Sequence, residues 1–131
     1  VERSASRSQR LAFALLGIGA VVTLACMLYA GEPRRPRWWL GSAPFAAWAL
    51  LPFLVAGILS FRMRGSPASR RVLLAAAGLL TASTCWLLYL AFIAQPDAQS
   101  GLVFLFLPLW QLLGLLPIGL LAAALGSRND A

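Results

Sequence analysis

The chain has 131 residues, 60% hydrophobic and 11% charged, with a mean hydropathy of +0.79 and a formal net charge of +7. A water-soluble domain of this size carries about 25% charged residues and buries only about two-thirds of its surface, so it could not hide this much apolar area. With no histidine and only two cysteines, both inside apolar runs, the composition also excludes an imidazole base, histidine-ligated haem, a disulfide framework and a zinc site.

All eleven basic residues are arginine, a bias expected from a GC-rich genome. They cluster between the apolar runs rather than along one face. That distribution reads as topology signals and headgroup anchors, not as a nucleic-acid footprint.

The first apolar run, Leu11–Ala30, follows Arg3, Arg7 and Arg10. It exceeds the roughly 7–15 apolar residues of a signal peptide, so it is expected to stay in the protein as a membrane helix. A connection follows, Gly31–Ser42 (GEPRRPRWWLGS). Within it, Arg34, Arg35 and Arg37 adjoin Trp38 and Trp39. Guanidinium groups bind phosphates in two-pronged fashion, and tryptophan prefers headgroup level. These five residues are the candidate contact for an anionic lipid or ligand, beside a plainer role as an interfacial anchor. Glu32 and Asp97 are expected on the same side, partly neutralising the cluster.

The second run, about Ala43–Phe61, contains Pro52. The arginine-rich connection Arg62–Arg71 leads to the third, Val72–Ala94, where Ala77, Gly78, Thr81, Thr84 and Cys85 recur at three- and four-residue spacing. That spacing places them on one helix side, as a small-residue packing seam. The connection Gln95–Gly101 precedes the fourth run, about Leu102–Leu125, which contains Pro108, Gln111 and Pro117. Each proline removes a helix hydrogen bond, which makes Pro52, Pro108 and Pro117 candidate hinges.

Gln111 is the strongly polar side chain nearest mid-span. It lies about 14 Å from the start of its run, and Ser83 and Thr84 lie about 17 Å along theirs from the opposite side. In a core of about 30 Å these depths coincide. Gln111 is therefore expected to face the third helix and to bond Thr81, Ser83 or Thr84.

The four runs span 19 to 24 residues and contain no charge. About 20 residues cross the hydrocarbon as a helix, and backbone groups in lipid must pair within the span. The expected fold is an all-α integral membrane protein, one domain over residues 1–131, forming a four-helix antiparallel bundle with short loops. With the N-terminus inside, Arg3, Arg7, Arg10, Arg62, Arg64, Arg70, Arg71 and Arg128 fall on the inner side, against Arg34, Arg35 and Arg37 outside. Eight against three predicts both termini in the cytoplasm. Size, loop economy and arginine bias point to a bacterial inner membrane.

No Asp, Glu, Lys, Arg or His lies within a run, although such groups normally mark proton relays and ion sites. No phosphate loop, metal-ligand spacing or nucleophile elbow appears. The intramembrane glutamate of small drug exporters and the asparagine-bearing core of fluoride channels are absent too. The expectation is a protein without cofactor or metal. Its leading role is a non-enzymatic accessory or assembly subunit, with membrane lipids and a membrane-protein partner around it. A homo-oligomeric channel lined by Thr81, Thr84 and Gln111 is the alternative. A lipid-headgroup protein using Arg34, Arg35, Arg37 and Asp97 is the third reading.

Overall fold

The computed structural model describes residues 2–62, 66–94 and 102–130, with the side chains of 7–62, 66–94 and 102–128. Arg64 and Asp97 lie outside the described residues, and so does the side chain of Arg3. Four helices make up nearly all of what is described: α1 (Glu2–Ala30), α2 (Pro36–Arg62), α3 (Pro67–Tyr89) and α4 (Val103–Asp130). The end of α3 widens into a π-helical turn over Leu90–Ala94. No strand occurs among the described residues. The apolar spans are 24, 27, 28 and 26 residues long, each enough to cross a membrane.

The first three helices begin earlier than their apolar runs. α2 starts at Pro36, inside the segment expected to be a loop up to Ser42. The physical reason is that the edge of an apolar run marks the edge of the hydrocarbon, not the end of hydrogen bonding. Proline fits the first helical position, where no N–H is needed. α3 uses the same device: Pro67 opens the helix, and the Ser69 N–H donates to Ser66 Oγ at 3.4 Å. Pro44 and Pro52 lie inside a continuous α2, and Pro108 and Pro117 inside a continuous α4. Pro52 and Pro108 are buried against neighbouring helices, while Pro117 faces outward.

α2 and α3 contact each other, and both contact α1 on one side and α4 on the other. α3 buries the largest share of its apolar span, 39%, against 22% for α4. Its buried face is Leu73, Ala76, Ala77, Leu80, Thr81, Thr84 and Leu88, a three- and four-residue spacing that forms one stripe. This stripe only partly coincides with the one expected from small residues. Ala77, Thr81 and Thr84 lie on it, whereas Gly78 and Cys85 sit at its margin. The main core joins Ala12 and Leu16 of α1, Phe53 and Ala56 of α2, Ala76, Ala77 and Leu80 of α3, and Leu115 of α4. A second cluster, Met27, Leu88 and Phe104, lies towards the other end.

Gly19 is the tight point of this packing. A methyl group there would overlap the Phe53 ring and press on Thr81 Oγ1. Gly78 is the opposite case, because a methyl there would meet nothing within 4 Å. Gly19→Ala is therefore expected to destabilise the fold by about 1–3 kcal/mol through overpacking. Gly78→Ala should be neutral or stabilising by about 0.5–1 kcal/mol, since alanine loses less backbone entropy. Reversible unfolding of the two variants in mixed micelles measures both.

Candidate functional site: a polar seam and a basic cleft

Two features gather the polar residues. The first is a seam between α3 and its neighbours at mid-span. The Thr84 hydroxyl donates to the Leu80 carbonyl at 2.8 Å, the back-bond open to a helical threonine. Gln111 Nε2 then donates to Thr84 Oγ1 at 2.7 Å and lies 3.4 Å from Leu80 O. Ser83 Oγ, 3.5 Å from the same nitrogen, is a marginal partner that itself donates to Leu80 O at 3.0 Å. Amide, hydroxyl and carbonyl thus form a short relay in which each bond polarises the next.

Thr81 does not take part. Its hydroxyl donates across to the Leu15 carbonyl of α1 at 2.7 Å. That reach needs a close approach of α1 to α3, which Gly19 and the fully buried Ala77 allow. Thr23 back-bonds to Gly19 O at 2.8 Å, on the buried face of α1. The seam also holds a cavity of about 10 Å³, lined among others by Thr23, Phe53, Thr84, Pro108 and Gln111. This is about the space of a single water.

Two further polar ties escaped sequence reasoning. The Ser69 hydroxyl, fully buried, donates to Ala122 O at 2.6 Å and joins the start of α3 to the end of α4. Trp48 Nε1 donates to Leu105 O at 3.0 Å and ties α2 to α4. A serine near a chain turn carries no signal for a partner 53 positions away. Trp48 could have been suspected, because an indole N–H within an apolar run needs an acceptor.

The second feature lies at the α1–α2 connection. Arg35 Nε pairs with Glu32 Oε2 at 3.0 Å, an exposed contact of little energetic weight. Trp39 Nε1 donates to Pro33 O at 2.8 Å, pinning the connection onto the first turn of α2. Trp38 and Trp39 meet edge to face, with ring centroids 4.9 Å apart. The Trp38 ring lies against Gly31, where an added Cβ would collide with it. Beneath this lies an open cleft of about 470 Å³, with Met27, Gly41, Phe45 and Phe104 in its walls and Arg37 and Trp38 also lining it. Arg37 thus belongs to the cleft, Arg35 is held by Glu32, and Arg34 lies exposed on the connection.

Cys26 and Cys85 are free thiols on the packed α1–α3 pair. Among the described residues, no three of His, Cys, Asp or Glu converge as a metal-ligand set would. No family model matches this chain, and no curated protein or solved structure is significantly similar to it.

The seam makes an energetic statement that can be checked. A cycle of Gln111→Leu and Thr84→Val should give a coupling of about 0.6–1.7 kcal/mol, the range found for hydrogen bonds between membrane helices. Gln111→Leu with Ser83→Ala should give none beyond a few tenths. Ser69→Ala should cost about 1 kcal/mol, the worth of one interhelical hydrogen bond, since the Ala122 carbonyl keeps its bond within α4. Unfolding free energies of the single and double variants measure all three.

Proposed function

We propose that this protein is a non-enzymatic accessory or assembly subunit of a membrane complex. It is read as an antiparallel four-helix bundle with both termini on the cytoplasmic side of a bacterial inner membrane. The observation that carries the reading is the bonding of Gln111. The most polar group at mid-span is engaged within the chain by Thr84, and the cavity beside it has room for about one water. A seam built this way holds helices together; it leaves no file of polar groups for a solute to follow.

The contact pairs support the antiparallel arrangement. Ser69 meets Ala122, Thr84 meets Gln111, and Phe92 stacks near Phe104, so numbering rises along α3 as it falls along α4. The partner-facing side is assigned to α4, whose span is the least buried of the four. Trp110, next to Gln111 and 69% exposed, stands there at mid-span. An indole N–H is costly in hydrocarbon and prefers the headgroup layer, so a Trp at this depth favours an acceptor on another protein.

Native mass spectrometry of the protein released from its own membrane tests the proposal. The expected result is a defined hetero-complex that Trp110→Leu weakens. A homo-oligomer, together with solute flux in liposomes that Gln111→Ala abolishes, would replace it with the channel reading. Reporter fusions at the two termini should both report the cytoplasm.

A further inference from the structure

The cleft at the α1–α2 end has a graded chemistry that the accessory role does not use. Along α2 its lining residues are Arg37, Trp38, Gly41, Ser42 and Phe45, all on one side of two helical turns. The eight residue steps from Arg37 to Phe45 cover about 12 Å along the axis. Arg37 stands at the end nearest the connection, beside the Trp38–Trp39 pair. Met27, Phe45 and Phe104 supply aliphatic and aromatic wall further in. Positive charge at headgroup level above an apolar slot is the complement of an anionic amphiphile, not of a soluble anion.

Other details fit the same occupant. The volume, about 470 Å³, lies within the range of about 300–1,000 Å³ usual for ligand sites. Gly41 leaves the wall open, and a Cβ added there would meet nothing within 4 Å. The Ser42 hydroxyl is already bonded to Trp38 O at 2.6 Å, which leaves the guanidinium of Arg37 as the principal donor of the rim. Arg34 precedes it by three positions and adds to the local positive potential, whereas the charge of Arg35 is offset by Glu32.

We propose that this cleft binds one anionic phospholipid, its phosphate held by Arg37 and one acyl chain laid along Met27, Phe45 and Phe104. The site is independent of the accessory role. It would fix the depth of the α1–α2 end by a bound lipid rather than by bulk partitioning of tryptophan.

The test uses the full chain purified in non-ionic detergent. Phosphatidylglycerol or phosphatidylcholine with identical acyl chains is added, and bound lipid is read by native mass spectrometry. The wild type is expected to retain one phosphatidylglycerol, about tenfold in preference to phosphatidylcholine, whose phosphate could also accept from Arg37 but whose trimethylammonium that guanidinium repels. Arg37→Gln should erase that preference, and Gly41→Leu should lower retention of both lipids by filling the slot. Leucine is a better helix former than glycine, and an unchanged circular-dichroism melt of each variant shows that the fold survives.

Equal retention of the two lipids by the wild type, or an Arg37→Gln variant that keeps the preference, would overturn the proposal in favour of non-specific annular lipid. Displacement of the lipid by millimolar inorganic phosphate, with Gly41→Leu without effect, would overturn it in favour of a soluble-anion site. A dimer without lipid that Gly41→Leu dissociates would assign the cleft to a second copy of the chain.

Discussion

A polar group placed in the middle of a hydrocarbon layer has no water to turn to, and in this protein that constraint decides how the helices meet. Gln111 cannot face lipid without losing its hydrogen bonds, so α4 is rotated until the amide reaches Thr84. Thr84 can accept because its own proton is already given to Leu80 O. The same logic sets α1, where Leu15 O receives the Thr81 hydroxyl, and the far end of the bundle, where Ala122 O receives Ser69. Each tie is worth only about 1 kcal/mol; a hydroxyl could instead bond back to its own helix, but the Gln111 amide facing lipid would go unpaired.

Size then governs how closely the helices approach. A threonine hydroxyl reaches a neighbouring backbone only if little stands between. Gly19 and Ala77 provide that space, with the Phe53 ring packed against Gly19. Bonds and small residues are therefore one device: the ties pull α1 towards α3, and the missing side chains let it come. α2 and α4 are joined differently, through Trp48 donating to the carbonyl of Leu105. There the acceptor is an ordinary helix carbonyl with a second lone pair, and Pro108 lies buried inside a continuous α4.

The two polar regions have opposite characters. At mid-span the polar groups are turned inward and nearly close-packed, with room for about one water. At the α1–α2 end, charge and aromatic rings frame an open cleft. The first holds helices together; the second presents chemistry to the surroundings. Arg34, Arg35 and Arg37 sit with the paired tryptophans at the α1–α2 end of the helices, and the mid-span seam follows from the need to satisfy a few necessary dipoles.

Much of this was legible in the residues alone. Four uncharged runs of spanning length determine four helices, because backbone in lipid must bond within its own segment. The meeting of Gln111 with α3 follows from a fixed rise per residue and a fixed hydrocarbon thickness. The tertiary structure alone decided which hydroxyl takes the amide, and it sent Thr81 to α1 instead. It also decided that Gly19 rather than Gly78 is the tight contact, and that Ser69 reaches Ala122. These depend on the rotation of each helix about its axis, which weakly amphipathic spans leave open, since nearly every face is apolar. The cleft was hidden for the same reason: Met27, Gly41, Phe45 and Phe104 lie on three helices, and no spacing along the chain records that they share one hollow.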